Sequence, residues 1–388
     1  MKTNCPTRTV FGQRSWRLAS SMVEAFVTEQ GGHLAPVTFD CGGRKLQPLS
    51  ICPWCNEKPE VRLPPMLRVL RGDFFCMPFG GNTAPFHGEI HPPHGETANR
   101  KWTCVNLTRL EGRVTLKLRM KTRCRPASVE RRFTLVDGHS AVYLRTAVGG
   151  GRGPMCFGHH AMLKFPERPG SGIVTTSPFK YGLVAPRPVE RPEDRGYSIL
   201  KPGARFTRLD GVPMITGETA DLSRYPARRG FEDIVILVSG PRRPFAWTAV
   251  TFPDQRYVWF GLKNPSVLRQ TVIWMSNGGR HYPPWNGRHV NVLGWEEVTA
   301  YFHYGLAESA APNPLRLRGE ATTVELDPAR PLVVNYVMGV AGIPRRFDVV
   351  ADIEPADKPG RVVITSKNGS RVVAPLDWTF LTDDDVKG

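Results

Sequence analysis

The chain has 388 residues, of which 40% are hydrophobic and 22% charged, and its formal net charge is +17 at pH 7. This hydrophobic content is too high for general disorder, and its 38 glycines and 36 prolines, spread without a period, exclude collagen and coiled coils. No apolar stretch reaches the roughly 18–20 residues of a membrane helix, and no apolar segment typical of a signal peptide opens the chain. We therefore expect a cytosolic protein without a membrane partner. The basic residues are scattered, so we predict no nucleic-acid partner.

In chain order, the first predicted element spans 20–30, where alternating apolar residues fit a strand as well as a helix. The clearest strand is 113–121, whose apolar residues Val114, Leu116, Leu118 and Met120 fall on one face. Loop-rich sequence follows at 166–213, and we expect it to be a long excursion over a sheet edge or a site. Further strands are predicted at 129–136, 141–148, 234–238, 247–252, 256–262 and 270–275.

The tail from about 322 to 381 is again strand-like. Its strongest signal is Asn368-Gly369 between the apolar runs 362–365 and 371–374, which predicts a hairpin with a tight turn. We predict an all-β protein built as a large antiparallel β-sandwich. Residues 10–322 are assigned to the main sandwich, and residues 323–388 to a β-rich C-terminal extension packed on it.

Of the eight cysteines, only Cys52 and Cys55 are closely spaced. A zinc site would need a second pair at domain distance, and a thioredoxin-type redox pair would open a helix, whereas a proline-rich loop follows Cys55. A chain of this length can bury a core without a covalent staple. We therefore predict free thiols.

Half of the ten histidines fall in two clusters, which contain His87, His91 and His94, and His159 and His160. Histidine is the side chain that titrates near neutral pH, so such clustering indicates a site. Imidazoles also suit zinc, but the prolines around the first cluster argue against the helix that would bring its members together. We predict no metal site.

The order and spacing of several short motifs resemble the galactose mutarotase-like superfamily, which includes aldose 1-epimerases and D-hexose-6-phosphate mutarotases. The resemblance covers roughly residues 10–320. It implies a β-supersandwich, a carbohydrate epimerase or mutarotase activity and no cofactor. The motifs are Met77-Pro78-Phe79-Gly80 after Arg71-Gly72, His94-Gly95 with Trp102 eight residues on, Gly158-His159-His160, and Gly294-Trp295-Glu296 with Thr299.

The resemblance implies that Glu296 is the catalytic base, His160 the catalytic acid and His94 a residue that contacts substrate oxygens. Anomer exchange needs a base to remove the proton of the C1 hydroxyl and an acid to protonate the ring oxygen. We expect the acid and the base to come from different strands and to face one another across the sugar. His159 and Glu297 remain as competing assignments for the acid and the base.

Four further residues complete the predicted substrate site. Arg71 would bind sugar hydroxyls or a phosphate, and Asp233, with Glu232 as the competing assignment, would bind hydroxyls. Ala98 stands where the phosphate-sugar branch carries arginine, so Arg100 is its nearest substitute, and Trp295 is a candidate for stacking on the sugar.

The predicted partner is a small carbohydrate. Whether the sugar is phosphorylated stays open, and the oligomeric state is not predicted. The second hypothesis is a non-catalytic carbohydrate-binding protein on the same fold, because fold does not fix function.

Overall fold

A computed structural model describes residues 5–58, 61–241 and 243–383 of the chain. Short strands dominate these residues, and no helix among them has the length and apolarity that a membrane crossing requires. The helices are α1 (Pro65–Val69), α2 (Gly95–Asn99), α3 (Leu306–Ala310) and 3-10 helices at Pro192–Asp194, Arg316–Arg318 and Trp378–Thr382. The strands are β1 (Thr7–Val10), β2 (Gln13–Ala19), β3 (Val23–Thr28), β4 (Leu34–Cys41), β5 (Arg44–Leu46), β6 (Phe75–Cys76), β7 (Thr103–Leu110), β8 (Arg113–Thr122), β9 (Ala127–Val136), β10 (Ala141–Gly149), β11 (Gly153–Met155), β12 (Phe157–His159), β13 (Ala161–Lys164), β14 (Gly172–Thr176), β15 (Phe179–Val184), β16 (Arg205–Phe206), β17 (Val212–Pro213), β18 (Thr219–Ala220), β19 (Arg224–Tyr225), β20 (Glu232–Ser239), β21 (Ala246–Phe252), β22 (Tyr257–Lys263), β23 (Gln270–Ser276), β24 (Val292–Thr299), β25 (Val324–Leu326), β26 (Leu332–Gly342), β27 (Val350–Pro355), β28 (Arg361–Ser366) and β29 (Arg371–Pro375).

Two large antiparallel sheets form the sandwich. One follows the order β19-β14-β21-β22-β26-β10-β9-β8-β7, and the other follows β16-β15-β20-β23-β24-β12-β6 with β13 also paired to β24. A five-stranded sheet of β1 to β5 packs on the same core. The predicted all-β antiparallel sandwich is confirmed. The strands predicted between 113 and 275 match observed strands to within two residues, and the segment 20–30 contains the strand β3.

The segment 166–213 departs from its prediction as a loop. It contains β14 and β15, which pair with β21 and β20 in the two large sheets, so its first part is sheet rather than an excursion. Proline, arginine and glycine flank these strands, so the composition of the whole segment is typical of a loop. The remainder of the segment is loop with a 3-10 helix and two-residue strands.

The C-terminal region has two different parts. β26 lies inside the nine-stranded sheet, where it pairs with both β10 and β22. β27, β28 and β29 form a separate three-stranded sheet, and the predicted hairpin around Asn368-Gly369 is confirmed as the β28–β29 connection. Residues 384–388 of the assigned extension lie outside the described residues. The division at 322 stays a prediction.

One disulfide bond was not expected from the sequence. Cys5 is bonded to Cys104 at the start of β7, which ties the beginning of the described chain to the edge of the nine-stranded sheet. The two cysteines are 99 residues apart, so no local spacing indicated the pair. Cys52 and Cys55 are free thiols, as predicted.

The two faces of the eight-stranded sheet bury different sets of residues. On β24, Leu293 and Trp295 point into the core between the sheets, whereas Val292 and Val298 point to the outer face, where a second apolar cluster lies. This follows from the two-residue period of a strand. Even-numbered residues of β24, including Glu296, therefore belong to the outer face.

Candidate active site

A cavity of about 320 Å³ lies on the outer face of the eight-stranded sheet. Its wall combines Ile234, Trp274 and Glu296 from the strands with polar, aliphatic and aromatic side chains from the connecting segments. A cavity of this size falls in the range of small-molecule sites. The lining residues are Pro64, Met66, Leu67, Leu70, Gly81, Pro93, His94, His160, Ile234, Trp274, Arg280, Tyr282, Trp285, Glu296 and His303.

His160 and Glu296, the predicted acid and base, are in direct contact in this cavity. Nε2 of His160 lies 3.2 Å from Oε1 of Glu296, and the two residues are 4% and 2% exposed. The backbone N–H of His160 donates to the carbonyl of Phe74, and the imidazole stacks on the Phe74 ring at 4.6 Å. The other polar atoms, Nδ1 of His160 and Oε2 of Glu296, have no hydrogen-bond partner within the described chain.

Burial shifts both ionisation equilibria toward the neutral forms. Desolvation raises the pKa of Glu296 to about 8, although nearby Arg280 opposes the shift. Desolvation also lowers the pKa of His160 well below 6.5, and nearby His94 adds to the effect. At neutral pH the pair therefore shares one titratable proton, which resides on the carboxyl group.

The expectation that the two groups face one another across the sugar does not match this geometry, because they lie side by side. The C1 hydroxyl and the ring oxygen are both bonded to C1. An acid and a base that reach these two oxygens can therefore be neighbours, and adjacent positions on one sheet face are sufficient.

His94 joins the pair from a different part of the chain. Its imidazole centroid is 5.0 Å from that of His160, and its ring meets Phe74 and Phe79 edge-on. Nδ1 lies 3.3 Å from Sγ of Cys76. Burial lowers the pKa of His94 to about 4, so its imidazole is neutral at neutral pH.

Strand alternation separates the two carboxylates proposed for hydroxyl binding. Asp233 is turned away from the cavity, and its carboxylate accepts hydrogen bonds from the backbone N–H groups of Ile199 and Leu200 at 3.1 and 2.9 Å. Glu232 is the neighbour of the cavity wall, because it accepts a hydrogen bond from Nε1 of Trp274 at 2.9 Å. Glu232 shares the sheet face of the lining residue Ile234, but it does not itself line the cavity, and both of its carboxylate oxygens accept hydrogen bonds from protein groups.

Arg71 does not line the cavity. Its guanidinium is fully buried and donates to the carbonyl oxygens of Val69, Val10 and Phe11. These three bonds hold the N-terminal β1–β2 hairpin against the segment after α1. The guanidinium of Arg71 therefore has a structural role. The spacing of a sequence motif could not indicate these hydrogen bonds.

Arg100 and Trp295 are also placed away from the cavity. Arg100 pairs with Glu96 at 2.9 Å and donates to the carbonyl of Lys121 at 2.8 Å. Trp295 is fully buried in the core between the sheets, because odd positions of β24 face that way. A stacking contact between its indole and a sugar in the cavity is therefore excluded by strand alternation.

Sequence reasoning missed Arg280. Its Nε donates to Oε1 of Glu190 at 2.6 Å, and its guanidinium lies over the rings of Trp285 and Trp274, 4.5 and 5.2 Å from their centroids. Although burial opposes it, Glu190 and Glu232 raise the pKa of Arg280 above its ordinary value. Arg280 lies in a loop after β23, where no periodicity marks a functional residue.

His303 was also missed, seven residues after Glu296. It lines the cavity, burial lowers its pKa to about 3, and its Nδ1 has no hydrogen-bond partner in the described part of the chain.

The three histidines of the first cluster do not converge on one site. His87 is exposed and His91 pairs with Glu89 at 2.8 Å, and the described residues contain no group of three metal-ligating side chains.

Comparison with known proteins finds similarity at the level of structure. No family model and no curated protein sequence matches the chain. A candidate mutarotase from Salmonella typhimurium superposes with a TM-score of 0.56 at 12% identity, covering 87% of this chain and 93% of that one.

Two further structures agree. A candidate aldose 1-epimerase from Escherichia coli K12 gives a TM-score of 0.54 at 13% identity, with 86% of this chain and 100% of that chain covered. A galactose mutarotase-like protein from Clostridium acetobutylicum gives 0.55 at 10% identity, with 87% and 98% covered. This chain therefore has the galactose mutarotase-like fold.

Proposed function

We propose that the protein is a carbohydrate epimerase or mutarotase that interconverts the anomers of an aldose, with His160 and Glu296 as its acid–base pair. The observation that carries the proposal is the 3.2 Å contact between these two side chains in a cavity of about 320 Å³. Each also has a buried polar atom without a hydrogen-bond partner in the described chain. A positioned acid or base typically contributes ~10²–10⁴-fold to a rate.

The proton inventory of the pair fits the reaction. Glu296 as carboxylate removes the C1 hydroxyl proton while His160 as imidazolium protonates the ring oxygen, and the bond between C1 and that oxygen breaks. Glu296 is then protonated and His160 neutral. After rotation about the C1–C2 bond, the protons return by the reverse path and the ring closes on the other face. The pair thus starts and ends with one proton.

Burial favours the protonation state of the open-chain stage, with Glu296 protonated and His160 neutral. The predicted roles require one proton to move from the carboxyl group to the adjacent imidazole when sugar binds. Sugar hydroxyls that donate to Glu296 would favour this transfer, because hydrogen bonds to a carboxylate stabilise its charged form.

The charges around the cavity support an uncharged sugar. Among the described lining residues, Arg280 is the one cation, and Glu190 lies 2.6 Å from it with Glu232 at 3.9 Å. A phosphate would have to compete with these carboxylates for the guanidinium. We therefore propose an unphosphorylated aldose, although the sequence had left phosphorylation open.

The test is NMR exchange spectroscopy, or polarimetry, on a panel of aldoses. We expect the protein to accelerate exchange between the α and β anomers of at least one sugar. If no sugar is exchanged faster than in buffer, the enzymatic proposal fails.

The second candidate is a non-catalytic carbohydrate-binding protein on the same fold. It is favoured by the burial of His160 and Glu296, which are 4% and 2% exposed, because burial disfavours the charged forms from which the reaction starts. Sugar binding without accelerated exchange would support it.

The cytosolic location stays a prediction. A disulfide bond such as Cys5–Cys104 is more typical of proteins in oxidising compartments.

A further inference from the structure

One part of the cavity wall is made only of aliphatic side chains. Pro64, Met66, Leu67 and Leu70 line the cavity from the segment that contains α1. Met66, Leu67 and Leu70 share one face of this short helical turn, because residues four apart are neighbours on a helix. None of these four side chains carries a hydrogen-bonding oxygen or nitrogen.

Several backbone N–H and C=O groups of this wall already form hydrogen bonds within the protein. The carbonyl of Leu67 accepts a hydrogen bond from Nε1 of Trp54 at 2.7 Å, and the N–H of Met66 donates to Oδ1 of Asn99 at 3.1 Å. The carbonyl of Leu70 accepts from the N–H of Cys52 at 3.0 Å. A sugar hydroxyl placed against this wall would therefore find few protein groups to replace its hydrogen bonds to water.

The polar groups suited to the reacting end of a sugar belong to other elements. Glu296 lies on β24 and His160 lies between β12 and β13 of the eight-stranded sheet, and His94 and His303 come from loops beside it. With the anomeric end at the proposed acid–base pair, the rest of a bound sugar would extend toward the aliphatic wall, where a buried hydroxyl is disfavoured and a methyl or methylene group is favoured.

From this distribution we infer that the substrate is an aldose with an apolar edge, either a deoxy position or an alkylated hydroxyl, which packs against Pro64, Met66, Leu67 and Leu70. This inference rests on the proposed function and narrows its substrate class. A single methylene in an apolar pocket changes kcat/KM by roughly 10–200-fold. We therefore expect a preference of at least about tenfold over the parent sugar.

The experiment compares kcat/KM for anomer exchange between parent sugars and their apolar derivatives on the wild-type protein. The pairs are D-glucose with its 2-deoxy, 6-deoxy and 3-O-methyl derivatives, and D-galactose with 6-deoxy-D-galactose. At least one derivative should exceed its parent about tenfold. Exchange of the parents as fast as, or faster than, every derivative overturns this inference but leaves the proposed function standing. No exchange of any sugar overturns the proposed function, and this inference with it.

A variant pair locates the source of the preference. Leu67→Gln places a donor and an acceptor on the wall, and we expect the ratio of derivative to parent to fall toward one. Arg68→Gln is the matched control, because Arg68 is the exposed next residue and does not line the cavity. Thermal unfolding of both variants establishes that they are folded. An unchanged ratio in a folded Leu67→Gln variant contradicts the inference.

Discussion

His160 Nε2 and Glu296 Oε1 are 3.2 Å apart, although the two residues are 136 positions apart in the chain. The contact arises because β13, which begins just after His160, pairs with β24, so that Ala161 lies opposite Trp295. Both side chains line the cavity on the outer face of the sheet. The sheet therefore assembles a proton donor and a proton acceptor side by side.

The pH dependence of exchange follows from the single proton of this pair. Above the pKa of Glu296, about 8, the pair loses its last proton and no acid remains. Below the lowered pKa of His160, the pair gains a second proton and no base remains. We expect kcat/KM, corrected for exchange in buffer, to be bell-shaped, with an alkaline limb near pH 8 and an acidic limb well below pH 6.5. A profile that is flat from pH 5 to pH 10 would contradict the assignment.

Cys76 is expected to position His94. Burial raises the pKa of Cys76 well above its ordinary value, so its thiol stays protonated and can donate to Nδ1 of His94, 3.3 Å away. The neutral imidazole then carries its proton on Nε2. Cys76→Ala should lower kcat/KM on the order of tenfold, which corresponds to about one hydrogen bond.

Cys76→Ser is the matched rescue, because its hydroxyl can donate in the same place. The ¹⁵N chemical shifts of the imidazole report the tautomer directly, and a purely structural role would not move them. Equal kcat/KM and unchanged His94 shifts in Cys76→Ala would rule out the positioning role.

Glu190 should determine how strongly the cavity discriminates against a phosphorylated sugar. Glu190→Gln removes the carboxylate 2.6 Å from Arg280 and leaves the guanidinium more available to an anion. We expect kcat/KM for glucose 6-phosphate relative to glucose to rise severalfold, since one nearby charge–charge interaction at an intermediate dielectric is large enough for that. Glu193→Gln, an exposed change in the same loop, should leave the ratio unchanged. A ratio that does not respond to Glu190→Gln would refute this role.

The division of the chain at 322 can be tested by truncation. A fragment ending at residue 322 lacks β26, which pairs with β10 on one side and β22 on the other. Removing an interior strand leaves both neighbours without their hydrogen-bond partners, so we expect no cooperative thermal unfolding transition by circular dichroism. A fragment that unfolds cooperatively would show that residues 10–322 form a separable unit.

The strands of the two large sheets were predictable because alternation and turn residues are local properties. β8 buries Val114, Leu116 and Leu118 on one face, as its sequence indicates. The sequence was a poorer guide to which of two neighbouring residues faces the site. Every residue of β24 is buried, so the strand has no alternation of polar and apolar residues that would show which face carries Glu296 and which carries Glu297.

The remaining errors come from tertiary contacts. Arg71 matched a motif, yet three backbone carbonyls of distant or adjacent segments hold its guanidinium. Arg280 and His303 reach the cavity from loops, where neither strand nor helix periodicity applies. The aliphatic wall depends on how α1 packs beside the sheet, and five residues of helix carry little sequence signal.

Glu297 supplies the control for the central claim. It lies on the core face of β24, where it pairs with buried Lys263 at 2.6 Å. Glu297→Gln leaves that cation without its partner and should lower the melting temperature while the folded fraction keeps its activity. Glu296→Gln should instead lose activity without lowering the melting temperature. Because the folded-state pKa of Glu296 is raised, its contribution to stability is lost as pH rises from about 4.5 through about 8, so the glutamine variant should be more stable than wild type at pH 9.

The most direct test is therefore the NMR exchange rate between the anomers of the best substrate with wild type, Glu296→Gln and Glu297→Gln, each measured below its melting temperature. We predict that Glu296→Gln loses at least about 100-fold in kcat/KM and that Glu297→Gln stays within a few-fold of wild type. Wild-type rates in a folded Glu296→Gln protein would contradict the account.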